Sequence, residues 1–262
     1  MILQTVLSLL FANTGLAQQV EPERNWKLGL SYSVNANLNQ QRSSKTYFHS
    51  FGFEFNQEVN ENINVTAGIR ISAQSEGTNF SLSGENPCWE DVSLSGNYKM
   101  PLSNDKTLLF FLEEFLPTSI YSRRESIRSI TRTGVTFSSP ILSPSLRWLH
   151  GLSGTYWLNS YRESFETLKS NPNFELGHLL GLNFSLSEWI KIGIKQNSQA
   201  TRFLNNETVW RTATTEYIQT IYKHFSITLS YSLGSYDQSN GYKFIHFDDI
   251  NQIVGLEVVY EI

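Results

Sequence analysis

The stretch Trp26–Leu38, WKLGLSYSVNANL, decides the fold. In it Trp26, Leu28, Leu30, Tyr32, Val34, Ala36 and Leu38 alternate with Lys27, Gly29, Ser31, Ser33, Asn35 and Asn37. A period of two belongs to a β-strand, whose successive side chains point to opposite faces. One face here is wholly apolar; the other is polar or tiny. Strands of soluble proteins usually run about five or six residues, whereas a tilted strand needs about nine to eleven to cross a bilayer. A run of this length points to a membrane strand.

The pattern repeats down the chain. Ile63, Val65, Ala67, Ile69, Ile71 and Ala73 alternate with Asn64, Thr66, Gly68, Arg70, Ser72 and Gln74. Leu180, Leu182, Phe184 and Leu186 share one face, with Gly177, Gly181, Asn183 and Ser185 on the other. Phe225, Ile227, Leu229, Tyr231 and Leu233 alternate with Ser226, Thr228, Ser230 and Ser232. In a soluble sandwich the apolar face would be the core; in a barrel it would meet lipid and the polar face a lumen. Alternation alone does not separate the two. Strand length does, together with connections that alternate between short and long. Short ones fall at Gln57–Asn62, Pro101–Lys106, Ser138–Pro144, Leu186–Trp189 and Tyr222–Phe225, and longer polar ones near Asn39–Lys45, Ser75–Pro87, Pro117–Ser126, Asn159–Asn173, Ser198–Thr208 and Gly234–His246. Tight turns at one end and larger loops at the other are the habit of transmembrane barrels.

The expected fold is all-β: one transmembrane antiparallel up-and-down barrel of about twelve strands over residues 18–262. Ten or fourteen strands also fit, because the facing is ambiguous in Leu108–Leu116, Arg128–Phe137 and Val209–Tyr222. Trp26, Tyr98, Trp189, Tyr222, Phe225 and Tyr260 adjoin short turns or a terminus, and Trp89, Trp157 and Trp210 adjoin long loops. Two aromatic girdles at the membrane surfaces would be arranged this way.

Residues 1–17 (MILQTVLSLLFANTGLA) read as a cleaved signal peptide: uncharged, apolar, and ending in Gly15-Leu16-Ala17. With Cys88 the only cysteine, no intramolecular disulfide is possible. A formal net charge of −4 argues against a nucleic-acid partner, which calls for a basic stripe.

At the other end, Ile253–Ile262 (IVGLEVVYEI) runs Val254, Leu256, Val258, Tyr260 and Ile262 along one face. This segment resembles the C-terminal targeting strand of Gram-negative outer-membrane proteins, with Gly255 followed by apolar or aromatic residues at Val258 and Tyr260. It departs at Ile262, where such proteins most often end in Phe or Trp. The resemblance implies an integral outer-membrane location. It also implies recognition of residues 253–262 by the barrel-assembly machinery, and contact with outer-membrane lipids and lipopolysaccharide.

Sequence motifs for catalysis or cofactor binding are missing: there is no phosphate-binding loop, HExxH, CxxC or G-x-S-x-G. No cofactor or metal is expected. Function then rests on charges that the alternation turns inward. Arg128, Arg132, Arg147, Lys191 and Lys195 come from the second half and would line one arc of the lumen; Arg70 also falls inward. Glu54, Asp91, Glu257 and Glu261 would line the other arc. Opposed arcs resemble a porin constriction, in which lining charges set ion selectivity. Lys27 and Glu261 are expected to pair where the first and last strands meet. The leading expectation is a passive pore for small hydrophilic solutes, anions among them. A filled barrel with a structural or binding role is the second reading.

The third is a lipid-modifying enzyme. His49, His150 and His178 fall on outward faces, where polar side chains are costly, and His178 should neighbour Ser198. Outer-membrane phospholipases and lipid A deacylases carry their Ser and His outward in a similar manner. This chain lacks their His-x-Ser motif.

Overall fold

The computed structural model describes residues 25–37, 46–76, 88–119, 122, 126–161, 170–237 and 251–262. The signal-peptide segment and much of the long connections lie outside the described residues. The strands are β1 (Trp26–Asn37), β2 (Thr46–Asn60), β3 (Ile63–Glu76), β4 (Cys88–Trp89), β5 (Val92–Pro101), β6 (Thr107–Leu116) and β7 (Ile127–Ile141). They continue as β8 (Ser143–Asn159), β9 (Pro172–Ser185), β10 (Ile190–Phe203), β11 (Thr208–Tyr222), β12 (Phe225–Asp237) and β13 (Asn251–Glu261).

Every neighbouring pair is antiparallel, and the sheet closes because β1 bonds both β2 and β13 while β2 also bonds β3. The two short pieces β4 and β5 both pair with β3, either side of Glu90–Asp91, and form one interrupted stave. The fold is therefore an up-and-down barrel of twelve staves. Both ends of the described chain lie at the short-turn end, where Leu28 and Ile262 exchange backbone hydrogen bonds of 3.1 and 2.9 Å.

Alternation acquires its direction from exposure. Among the described residues no hydrophobic side chain is buried, and the apolar faces look outward: Phe53 is 50% exposed, Ile218 52% and Leu229 51%. A soluble sandwich would bury these faces. In water such a surface would be untenable; in lipid it is the favourable arrangement.

Local chemistry sets the short turns. Asn60 Oδ1 accepts from the backbone N–H groups of Asn62 and Ile63, both at 2.9 Å. Ser187 Oγ does the same for Trp189 and Ile190 at 3.2 and 3.1 Å. Asn104 and Asp105 take φ of 61° and 56°, the left-handed pair that a tight hairpin requires. A single residue, Leu142 (φ 51°), separates β7 from β8. One expected long connection is mostly strand: β10 runs on to Phe203 and β11 starts at Thr208, so only residues 204–207 turn there. Gln199 and Thr201, which read as loop, are lumen-side partners of Arg211 and Val209.

The girdle at the short-turn end is built from ring pairs, Trp189 with Tyr222 (5.8 Å) and Phe225 with Tyr260 (4.6 Å). At the other end Trp89 and Trp210 are 56% and 50% exposed. Trp157 does not join them. It pairs with Ile130 while its neighbour Tyr156 pairs with Thr131, and the strand period sends it inward.

Candidate pore lining

The lumen is lined by alternate residues of twelve staves, and its two sides differ in chemistry. From β12 through β13 and β1 most inward positions are small or polar, with Ser226, Thr228, Ser230 and Ser232 on β12, Gly255 on β13, Ser31 and Ser33 on β1; Val259 and Ile253 of β13 are the apolar exceptions. From β6 to β9 they include Leu109, Phe111, Phe115, Ile130, Leu149 and Leu179. The sequence reading left the facing of β6 open, since Leu108–Leu116 is apolar on both faces. The register resolves it by turning Glu113 inward, opposite Arg132, and Glu114 outward, where it accepts from Thr131 Oγ1 at 2.6 Å.

Two glycines let aromatic rings lie flat on this wall. A Cβ at Gly134 would stand 2.6 Å from Phe111 Cζ, and one at Gly193 would stand 2.6 Å from the Tyr217 ring. Each ring then meets a cation. Arg132 lies 5.5 Å from the Phe111 centroid and 3.9 Å from Glu113, and Lys195 Nζ lies 4.8 Å from the centroid of Tyr217. Tyr217 Oη donates to Asn183 Oδ1 at 2.5 Å, which fixes the ring across the inner face of β10. A recess of about 80 Å³ opens above this wall, lined by Phe111, Arg132, Ser153, Leu179, Asn197 and Gln199 among others.

The cations of the expected arc stand at different heights on the wall. Arg128 occupies the bulge at the start of β7 and donates to Ser160 Oγ at 2.8 Å. Arg132 lies deeper. Arg147, opposite Asn183, donates to Ser138 Oγ at 2.9 Å and to the Asp105 carbonyl at 2.7 Å. Lys195 faces Gly181 and Thr215, and Lys191 sits beside the β9–β10 turn, opposite Ser185. Arg70 does not join this arc: it pairs with Glu54 at 3.2 Å on the opposite wall.

The acidic arc is present but partly committed. Glu54 is held by Arg70, and Asp91 accepts from the Ser119 backbone at 2.8 Å and from the Ser122 hydroxyl, which organises the loop after β6. Glu90 accepts from Ser72 Oγ. Glu257 faces Ser33 and Thr228. The expected seam pair is corrected: Lys27 Nζ bonds Glu58 at 3.5 Å, not Glu261. Glu261 is registered with Gly29 and Lys27 itself with Asn56, so Glu58 and Glu261 each lie one inward step away, and Lys27 turns to the β2 side.

On the outward face, His178 and Ser198 are direct cross-strand neighbours, as expected. No hydrogen bond joins them among the described residues. His178 Nε2 meets His150 Nε2 at 3.0 Å, and Ser198 Oγ accepts from Thr212 at 3.5 Å. His49, 8% exposed, receives the Tyr32 hydroxyl on Nδ1 at 3.0 Å. No group of three or more potential metal ligands occurs among the described residues. Sequence reasoning missed the apolar inner wall, Tyr217, and inward Glu113, Glu175 and Arg211; the doubly apolar run in β6 was the available signal for the wall.

No family model matches the chain, and no curated protein is detectably similar in sequence. Solved structures do match in shape. The COG4313 outer membrane channel from Pseudomonas putida F1 superposes with a TM-score of 0.68 at 10% identity, covering 93% of this chain and 100% of that one. The KdgM porin gives 0.53 at 5% identity, over 88% of this chain and 98% of that one. The NanC porin gives 0.52 at 10% identity, over the same shares. At these identities the likeness is one of fold. Together with the apolar exterior it makes the chain an integral β-barrel of the outer-membrane type.

Proposed function

We propose that the barrel is a passive pore for small hydrophilic solutes, with a preference for anions. One observation carries this reading: Lys195 stands on the inner wall near mid-barrel with no carboxylate partner among the described residues, held over Tyr217 at 4.8 Å. Arg147, two staves away, spends its hydrogen bonds on a hydroxyl and on backbone carbonyls, which leaves its charge uncancelled. On the facing wall the cations Lys27 and Arg70 are neutralised by Glu58 and Glu54. Glu257 and Glu261 are the inward carboxylates of that wall without a cation partner among the described residues, so the uncancelled cations stand on one wall, where fixed charge biases permeation without a binding step. Around it the path has few groups for catalysis and many small hydroxyls. Recordings of the purified protein in planar bilayers test this. Open steps with an anion-selective reversal potential support the pore, whereas silence from a folded barrel means that the lumen is filled and the proposal fails.

A further inference from the structure

On β8–β11 the lipid side carries a band of polar side chains that the pore does not use. Its members are His150, His178, Gln196, Ser198, Thr214 and Glu216. Each lies between apolar outward residues of its own stave. Leu146 and Trp148 lie below His150 and Leu152 above; Leu182 and Leu180 lie below His178 and Leu176 above. Ile192 and Ile194 lie below Gln196, with Ala200 above Ser198; Ile218 lies below Glu216 and Trp210 above Thr214. The band therefore sits inside the hydrocarbon layer, not at its edge.

Among the described residues of β12, β13, β1 and β2 the lipid side carries no such band at this depth, and its one imidazole, His49, is bonded to Tyr32. There Leu229, Leu256, Val34 and Phe53 occupy the outward positions on β12, β13, β1 and β2. A charged side chain facing lipid destabilises a barrel, a carboxylate less than a cation, and intramembrane ionisable groups almost always face protein or water. Glu216, between Ile194 and Tyr231, makes no hydrogen bond or ion pair among the described residues. We infer that this face is covered by a second copy of the chain, in a dimer whose two-fold axis runs along the membrane normal between β9 and β10.

Charge complementarity selects a second copy. A two-fold axis at that place sets β8 of one barrel against β11 of the other, and β9 against β10. The levels agree. Paired rows climb around the barrel, because the row that starts at Leu146 beside the β7–β8 turn reaches His49 near the far end of β2. The row from His150 climbs through Leu180 and Gln196 to Thr214, and one step back down β11 brings Glu216 to the level spanned by His150 and His178. Each Glu216 then meets the other barrel's imidazole pair, joined to each other by a 3.0 Å Nε2–Nε2 contact, whose remaining ring N–H can donate to the carboxylate. Ser198 and Gln196 meet their own copies at the axis. The acid and the base that complete one another lie on the same chain, so two copies suffice.

The test uses the full-length protein in a Cys88→Ser background. Ser198→Cys, nearest the axis, is oxidised in native membranes and in liposomes, with Gln196→Cys as a second probe and Leu256→Cys on β13, outside the proposed interface, as control. A dimer band from the first two and none from the control is the expected result. Glu216→Leu should raise the dimer dissociation constant about a hundredfold, because it removes two symmetry-related charge-assisted hydrogen bonds per dimer. Heat-modifiable electrophoretic mobility establishes that each variant is folded. Folded monomers without cross-links at 198 and 196 overturn the proposal, as do equal cross-links at 256. A cross-linked band of any other mass also overturns it, by assigning the face to a different protein.

Discussion

Leu142 shows how closely each residue here is fitted to one environment. It is the single residue between β7 and β8, 99% exposed, with φ at 51°. The left-handed region costs a residue with a Cβ about 1–2 kcal/mol, and this side chain recovers nothing by burial. Leu142→Gly removes the strain, and the expected gain of about 1 kcal/mol would appear as a higher urea midpoint for unfolding from liposomes. The reverse holds at Gly193. There an added methyl would sit 2.6 Å from the Tyr217 ring, whose hydroxyl is already tied to Asn183. Gly193→Ala should cost about 1–3 kcal/mol by overpacking. It should also alter unitary conductance, because the displaced ring no longer holds Lys195 against the wall. A conductance trace and an unfolding curve on the same sample separate the two effects.

At the scale of the strand, direction matters more than composition. On β12, Leu229 looks into lipid and Thr228 into the lumen, one residue apart. Leu229→Arg should destabilise the barrel by about 2–4 kcal/mol, the cost of a guanidinium at the bilayer midplane. Thr228→Arg should cost far less, and unfolding titrations in bilayers would show the contrast. This alternation was legible in sequence wherever one face was uniformly apolar, as in β1, β3 and β12. It failed in β6, where Thr107–Leu116 is apolar on both faces and only pairing with Arg132 tells Glu113 from Glu114. It also failed at the β10–β11 connection, because Gln196, Ser198, Arg202 and their neighbours are polar on both faces of a strand and so resemble a loop. Both failures have one cause: a stave that departs from the rule of an apolar outside and a polar inside. The apolar lumen wall and the polar lipid face are those departures. Inward charges were legible as residues and illegible as partners, since register leaves Lys27 one inward step from both Glu58 and Glu261 and the side chain's own direction decides.

For the whole molecule, the question is how far charges fixed on one wall act across the lumen. At about 0.1 M salt the Debye length is about 10 Å, and at about 1 M it is about 3 Å. A field from Lys195 and Arg147 that spans the lumen in dilute salt therefore shrinks to a thin layer at the wall in concentrated salt. The anion preference should be greatest at low ionic strength and fade as salt rises; selectivity from a narrow steric filter would not fade in this way. Lys195→Gln with Arg147→Gln should bring the reversal potential in a dilute-salt gradient close to zero. Arg132→Ala should change it less, because Glu113 lies 3.9 Å from that guanidinium and already cancels much of its field. Reversal potentials for the three proteins across a series of salt gradients give the measurement. Equal shifts from Arg132→Ala and from the double variant would mean that the paired arginine counts as much as the unpaired cations. Selectivity would then arise higher in the barrel, near the Phe111 recess, rather than on the mid-barrel wall.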